Sequence, residues 1–232
     1  MLKVYYGDIR NLRPEWEQYP IGKARLERTL RYKKIADQAR SVGAELLLYQ
    51  AFQRVFPNFS PPAIFRTGEH GKPALADGNG ALCFPSGKLA EFNLSHSGDY
   101  VACVIADRSV GIDIEAEKDA IRPGILRFLA KEERMDVENA SCGAQRFFEY
   151  WVLKESYIKA VGTGFAKAPD SFCLLKCGDG YRAYENGQDQ GYGFQLLAAP
   201  SGYKMAVCAE GDIWEAIEPE ELVLDKFSGK ER

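Results

Sequence analysis

The feature that most limits how this chain can fold is a short segment that occurs twice. Residues 97–102 (SGDYVA) and 201–206 (SGYKMA) lie 104 positions apart, and each has the pattern of a turn that enters an apolar strand. Two unrelated hairpins would produce the same match. The spacing nevertheless agrees with two units of roughly 100 residues, an ordinary domain size. We therefore predict an α+β fold of two pseudo-symmetric halves, residues 1–109 and 110–232.

Apolar spacing predicts where the helices and strands lie. Helices are expected from about 20 to 32, from 36 to about 56, over 121–135 and over 145–161, the last one stopped by Gly162. Strands are expected at 2–6, on both sides of a turn at 97–99, over 110–115 and as a short-stranded sheet within 170–210. Residues 63–90 are rich in glycine and proline, and roughly the last 15 residues are expected to be peripheral.

Composition excludes several classes of protein. No run approaches the length of about 18 apolar residues that a membrane span needs, and the first residues lack the apolar region of a signal peptide. The six cysteines form no C-x-x-C pair, which predicts a reduced, cytoplasmic protein. With only two histidines, a metal would be held by carboxylates, and oxygen ligands favour magnesium, manganese or calcium.

The charge is unevenly distributed along the chain. The net charge of −3 divides into +4 for residues 1–110 and −7 for 111–232. Residues 23–40 hold seven basic side chains against two acidic ones. The overall acidity, with a pI of about 5.6, argues against an extended nucleic-acid surface. A small anionic ligand, with basic groups in one half and carboxylates in the other, fits this distribution better.

Two carboxylates are predicted to share one face of a strand. Asp113 and Glu115 flank Ile114, and side chains alternate along a strand, so both carboxylates point the same way. Such a pair repels itself unless a cation neutralises it, and a divalent metal does this in many proteins. A solvated strand edge is the simpler alternative.

A helical pair adds to this candidate site. Glu155 and Lys159 are four residues apart and face the same way on the predicted helix 145–161. Aromatic residues surround them, so Glu155 is expected to be half-buried and to need a partner. That partner is either Lys159 alone, as in an ordinary surface salt bridge, or a metal shared with Asp113 and Glu115.

Anion-binding groups are the third candidate feature. His96 precedes a tight turn, where it could contact a phosphate or act as a general base, although a turn histidine capped by Ser97 is the alternative. Arginine side chains bind phosphate with both ends of the guanidinium group. The basic residues singled out are Arg25, Arg28 and Arg31 on one helix face, Arg40, and Lys72; a solubilising helix face is the competing interpretation for Arg31.

Four short motifs occur in a particular order. They are Lys72-Pro73, FNLSHSG at 92–98, GIDIE at 111–115 and WVLKESYIK at 151–159. Together they resemble the 4′-phosphopantetheinyl transferase superfamily, and the length resembles its larger, surfactin-type (Sfp-like) branch, in which one chain supplies both halves. The resemblance covers about residues 2–210 and implies an active site at the interface between the halves. His70 departs from the family, which often has tyrosine at that position.

The resemblance implies a role for individual residues. Asp113, Glu115 and Glu155 match the magnesium ligands, with manganese as an alternative metal. The residues implied to bind coenzyme A are Arg25, Arg28, Arg40, Lys72, Pro73, Ser95, His96 and Lys159. The residues implied to be catalytic are Glu155, Lys159, His96 and Glu133, with Glu155 or Glu133 as the base that accepts the serine proton.

The resemblance also implies a reaction and its partners. A serine of an apo acyl or peptidyl carrier protein attacks coenzyme A, takes the phosphopantetheine arm and releases 3′,5′-ADP. The carrier is expected to dock near residues 162–194, where Phe165, Phe172 and Tyr181 are candidate anchors, although Phe172 is expected to be a core residue. The protein is expected to be a monomer that binds neither nucleic acid nor membrane.

Two other functions use the same residues. A magnesium-dependent nucleotide phosphohydrolase would use the three carboxylates and need no carrier. A non-catalytic protein that binds coenzyme A or a carrier would keep the fold but have an incomplete metal set.

Overall fold

The structure is a computed structural model that describes residues 1–61, 63, 65–67, 73–75, 82–164, 167–213 and 215–224. The elements of the first half are β1 (Leu2–Asp8), α1 (Lys23–Thr29), α2 (Ile35–Val55), β2 (Phe65–Thr67), β3 (Pro73–Leu75), β4 (Glu91–Ser97) and β5 (Tyr100–Ala106). Those of the second are β6 (Val110–Ala116), α3 (Lys131–Asn139), α4 (Gly143–Val161), β7 (Cys173–Cys177), β8 (Gly180–Glu185), β9 (Gln188–Leu197), β10 (Tyr203–Glu210) and β11 (Glu220–Glu221). Among these residues, no helix combines the length and apolar character needed to cross a membrane.

The two halves repeat one arrangement of strands. In the first sheet, ordered β11-β1-β5-β4, β5 pairs antiparallel with both β1 and β4. In the second, ordered β6-β10-β9-β8-β7, β10 pairs antiparallel with both β6 and β9. The repeated sequence segments enter β5 and β10, an inner strand of each sheet, and the rings of Tyr100 and Tyr203 meet edge to face with their centres 4.9 Å apart. The predicted two-half α+β architecture is confirmed.

The described residues form four hydrophobic cores: three include apolar residues from alternate positions of the strands, and the fourth packs α3 against α4. Helix α2 covers one face of the first sheet, and Val42, Leu46 and Phe52 are fully buried there. Helix α4 covers one face of the second sheet. The remaining faces of β1, β5, β6 and β10 pack against each other. The buried residues of the core between these four strands are Val4, Ala102, Val104, Ala106, Val110, Ile112, Ile114, Met205, Val207 and Ala209.

The predicted helix over 121–135 is wrong in its bounds. A short 3-10 turn covers Ile125–Phe128, and α3 begins only at Lys131. Gly124, which follows Pro123, has φ of 79°, and Leu129 is extended, so the backbone leaves the helical region twice. The predicted helix over 145–161 is confirmed as α4, which ends at Gly162.

Residues 220–224 of the C-terminal segment are not peripheral, contrary to the sequence prediction, and residues 225–232 lie outside the described residues. Strand β11 pairs in parallel with β1, and the Leu222 amide donates to the Tyr6 carbonyl at 2.8 Å. Leu222 and Leu224 are buried in the core of the first half. Residues 220–224 therefore belong to the first half in space, although the predicted boundary assigns them to the second. Two leucines in an acidic segment are too few to reveal this burial by periodicity.

Gly111 sets how closely α4 approaches β6. A Cβ at this position would fall inside contact distance of the Ser156 oxygen and the Ala160 nitrogen, both backbone atoms of α4. Gly111→Ala is therefore expected to cost about 3 kcal/mol, the upper end of ordinary overpacking, because backbone atoms cannot move aside as side chains do. Urea denaturation measures the loss. Gly22→Ala is the control because its Cβ would meet only the side-chain oxygens of Glu45 and Tyr49, both at ordinary contact distance. Equal stability of both variants would contradict the prediction.

Candidate active site at the junction of the two halves

The alternation of side chains along β6 places two carboxylates beside α4. Ile112 and Ile114 are buried between the sheets, while Asp113 and Glu115 lie on the opposite face. Asp113 is 3% exposed, and the Lys159 ammonium on α4 lies 2.6 Å from its Oδ1. The predicted shared face of Asp113 and Glu115 is thus observed, and α4 covers it.

Strand β4 of the first half supplies polar partners to these carboxylates. Ser95 Oγ donates to Asp113 Oδ1 at 2.8 Å and accepts from Lys159 Nζ at 2.9 Å. Ser97 Oγ donates to Glu115 Oε2 at 2.6 Å. The hydroxyls of one half therefore hydrogen-bond to the carboxylates of the other.

Glu155 lies half-buried near the same carboxylates. Burial raises the pKa of its carboxyl, and the negative charges of Asp113 and Glu115 raise it further, while Lys159 opposes them. Burial likewise raises the pKa of Glu115, against the hydrogen bond from Ser97. The cluster holds more negative charge than Lys159 alone neutralises.

The donor set fits a divalent cation chemically. Asp113 Oδ2 is buried and has no hydrogen-bond partner among the described residues. An unpartnered carboxylate oxygen beside two further carboxylates is a set of hard oxygen ligands that magnesium or manganese accepts. In the described part of the chain, no three acidic, histidine or cysteine side chains converge closely enough to hold a metal as they stand. A cation would thus require these carboxylates to rearrange.

A basic cavity of about 120 Å³ opens next to this cluster. Its lining residues are Arg25, Arg28, Tyr32, Asp37, Arg40, Ser41, Ala44 and His96. The structure therefore brings together the three arginines and the histidine that the sequence singled out, whereas Arg31 is exposed and not among the lining residues.

The three arginines of the cavity differ in their partners. Arg25 pairs with the buried Glu45, Nε to Oε2 at 2.6 Å. Arg40 pairs with Asp37 and donates to the Gly98 carbonyl at 2.9 Å. Arg28 is exposed and has no carboxylate partner among the described residues. A bound anion would thus meet one uncommitted guanidinium and two that are held in place.

His96 connects the cavity with the carboxylate cluster. Its ring lines the cavity, and the loss of surrounding water lowers the pKa of the imidazole, as do the positive charges of Lys159 and Arg40. The imidazole is therefore neutral near neutral pH. A bound phosphate would favour the protonated form, which donates hydrogen bonds from both nitrogens.

Glu133, predicted as an alternative base, has a structural role here. It is 1% exposed, and its oxygens accept from the Ala130 and Leu174 amides, each at 2.8 Å. The ammonium of the fully buried Lys154 lies 2.9 Å from Oε2. These contacts occupy the carboxylate within the protein interior, whereas Glu155 lies half-buried beside the cluster. Which of the two accepts the serine proton stays a prediction.

Some of the predicted site residues lie outside the described residues, and others belong to neither the carboxylate cluster nor the cavity lining. His70, Lys72 and Phe165 all lie outside the described residues. Pro73 is the first residue of β3, where it is opposite Thr67. Phe172 is 2% exposed, which confirms it as a core residue, and Tyr181 is half-buried.

Sequence reasoning missed Ser41 and Tyr32 as cavity residues and Ser97 as a carboxylate partner. The alternation along the strand indicates that Asn93, Ser95 and Ser97 share a face, but it does not indicate that this face meets the carboxylates. Ser41 follows Arg40 within a helix and carries no distinguishing pattern of its own.

Comparison with known proteins identifies the family. The N-terminal model of 4′-phosphopantetheinyl transferases matches residues 14–108, and the model of the 4′-phosphopantetheinyl transferase superfamily matches 109–208. Together they cover most of the chain, which is a transferase that belongs to this superfamily. The chain is similar to its Sfp-like members: it is 31% identical to 4′-phosphopantetheinyl transferase Sfp of Bacillus subtilis, over 90% of this chain and 92% of that protein.

The chain is also similar to one further named transferase and to one solved structure. The transferase gsp of Aneurinibacillus migulanus is 29% identical over 82% of this chain and 76% of its own length. The solved holo-[acyl-carrier-protein] synthase of Thermotoga maritima aligns with 45% of this chain and 64% of its own, at a TM-score of 0.38 and 18% identity. Membership of the superfamily implies that coenzyme A is a substrate and that a carrier protein is a partner.

Proposed function

We propose that this chain transfers the 4′-phosphopantetheine arm of coenzyme A to a serine of an acyl or peptidyl carrier protein, with magnesium, and releases 3′,5′-ADP. The observation that carries the proposal is the position of His96, between an arginine-lined cavity and a carboxylate–lysine cluster. Coenzyme A has phosphate at two places, the 3′-phosphate and the pyrophosphate. The arginine-lined cavity suits the 3′-phosphate, and the cluster with His96 and Lys159 suits the pyrophosphate.

The arginine cavity suits the 3′-phosphate. Arg28 is available to it, and Arg40 is oriented by Asp37 and by the Gly98 carbonyl. A guanidinium group binds phosphate through two parallel N–H groups, which fixes orientation as well as charge. The pyrophosphate would then lie towards His96 and Lys159, which would neutralise it.

The reaction needs one proton acceptor. The carrier serine oxygen forms a bond to the β-phosphorus, and the bond from that phosphorus to the bridging oxygen breaks, so the oxygen leaves with 3′,5′-ADP. The hydroxyl proton passes to Glu155, the half-buried carboxylate beside the cluster. Positioning and charge neutralisation supply most of the rate enhancement in phosphoryl transfer.

Asp113, Glu115 and Glu155 would hold the magnesium ion, with manganese as an alternative. When bound, it neutralises charge on the pyrophosphate and its leaving group. The unpartnered oxygen of Asp113 supports this assignment. Lys159, which hydrogen-bonds to Asp113 here, would be free to turn towards the phosphates once that carboxylate has another cation.

The carrier would dock near residues 162–194. Leu175 is 46% exposed on β7, so a carrier helix has an apolar side chain to contact there. Tyr181 on the paired strand β8 lies on the other face of the sheet, against the core of the second half. The cluster and the cavity come from the two predicted halves of one chain, 1–109 and 110–232. A monomer would therefore be active.

Chromatographic detection of 3′,5′-ADP tests the reaction class. The proposal predicts that 3′,5′-ADP accumulates with coenzyme A, magnesium and an apo carrier, and that it stops accumulating once all the carrier is modified. Release at the same rate without a carrier would instead indicate a phosphohydrolase. Binding of coenzyme A without any release would indicate a non-catalytic protein.

Arg40→Ala is expected to weaken coenzyme A binding about 10- to 100-fold, the range for losing a hydrogen-bonded charge pair. Binding of 3′-dephospho-coenzyme A should change little, because that ligand lacks the group that Arg40 contacts. Calorimetric titration of both ligands measures the difference.

The matched control for this experiment is Arg31→Ala. Arg31 is exposed in the segment between α1 and α2, and it does not line the cavity. Its loss should leave both affinities unchanged. If Arg40→Ala weakened both ligands equally, Arg40 would not be the contact of the 3′-phosphate.

A further inference from the structure

The edge of β6 that faces away from β10 is hydrogen-bonded to side chains instead of a neighbouring backbone. Its amides at 112, 114 and 116 donate to side chains of β4 in the other half. The three bonds are Ile112 N to Asn93 Oδ1 at 3.0 Å, Ile114 N to Ser95 Oγ at 3.3 Å, and Ala116 N to Ser97 Oγ at 3.1 Å. Alternate side chains of β4 thus accept the amide hydrogen bonds that the backbone of a neighbouring strand would otherwise accept from β6.

The last of these bonds is linked to the active-site cluster. Ser97 has one hydroxyl proton, which it donates to Glu115 Oε2 at 2.6 Å, and its lone pair accepts from the amide of the next residue, Ala116. One hydroxyl therefore holds the Glu115 carboxylate and the backbone beside it. Because Oε2 is committed to Ser97, the orientation of Oε1 is fixed as well.

We propose that Ser97 is a positioning residue that orients Glu115 across the junction of the halves for cation binding. This inference rests on the cation site of the proposed function. Ser97 does not touch the reacting atoms in this account; it acts through Glu115. Hydrogen-bond partners of metal-ligating carboxylates typically contribute about 10- to 100-fold to metal affinity or activity.

The test is manganese binding to the protein without coenzyme A or carrier, measured by electron paramagnetic resonance. Ser97→Ala should bind Mn²⁺ about 10- to 100-fold more weakly than wild type. Ser97→Thr should restore most of the affinity, because threonine keeps the hydroxyl and suits a strand.

Ser201→Ala is the matched control. Ser201 begins the repeated segment in the second half and is exposed, so its loss should leave Mn²⁺ affinity unchanged. Amide exchange at Ala116 is a second measurement: it should accelerate in Ser97→Ala and not in Ser97→Thr.

Three results would overturn the inference: wild-type Mn²⁺ affinity in Ser97→Ala, no recovery in Ser97→Thr, or no Mn²⁺ binding by the wild type. A different result refutes the proposed transferase function, namely a wild-type protein that modifies no carrier. A wild type whose Mn²⁺ affinity depends on Ser97 but which transfers nothing would thus refute the function and keep the inference.

Discussion

Asp113→Ala should lose phosphopantetheine transfer by about 10³-fold while retaining most of its affinity for coenzyme A, since several kcal/mol of charge stabilisation disappear. Asp113 has the unpartnered buried oxygen of the cluster, and its other oxygen accepts from Ser95 and Lys159. Its removal takes away the best candidate ligand and releases Lys159. The substitution removes no residue that lines the arginine cavity.

Rates at several magnesium concentrations, with calorimetry for coenzyme A, measure this outcome. The response to magnesium should disappear together with the activity. Glu138→Ala is the control: it removes one carboxylate from an exposed position of α3, away from the cluster. An Asp113→Ala protein that kept wild-type turnover would refute the assignment of Asp113 as a cation ligand.

Lys154→Met is expected to destabilise the fold by about 3–5 kcal/mol, the range for removing one partner of a buried ion pair. Lys154 is fully buried, lies 2.9 Å from Glu133, and donates to the carbonyls of Pro169 and Phe172, each at 2.8 Å. Its ammonium also lies 4.2 Å from the centre of the Phe172 ring. Without it, the Glu133 charge remains buried and unpaired.

Urea denaturation of single and double variants measures the coupling between the two residues. Lys154→Met combined with Glu133→Gln should recover part of the lost stability, because the unpaired charge is then removed as well. A double variant that is as unstable as the sum of both single variants would contradict a coupled pair.

The same variants separate a structural Glu133 from a catalytic one. Folded Glu133→Gln, assayed well below its unfolding temperature, should keep kcat within about threefold of wild type, because Glu133 is occupied by backbone amides and Lys154. A loss of about 100-fold in kcat with unchanged stability would restore Glu133 as a candidate base.

Some parts of the site follow directly from local geometry. The alternation of side chains on a strand is enough to place Asp113 and Glu115 on one face, and helical spacing is enough to align Glu155 with Lys159. The repeated turn segment predicts two related halves, because each occurrence enters an inner strand of a sheet, β5 or β10.

Other parts depend on how distant elements meet. That Ser97 lies against Glu115 follows from the contact of two sheet edges, which local spacing does not encode. Glu133 resembles an active-site residue in sequence because its buried partner, Lys154, lies on another helix. Leu222 and Leu224 pack against the first half because β11 pairs with β1, a contact between the two ends of the chain.

The most direct test of the account is the intact mass of an apo carrier protein after incubation with this chain, coenzyme A and magnesium. The account predicts a gain of one phosphopantetheine group. The gain should disappear with a chelator, with Asp113→Ala, and with a carrier whose acceptor serine is alanine. No gain on fatty-acid, polyketide or nonribosomal-peptide carriers, while coenzyme A still binds, would contradict it.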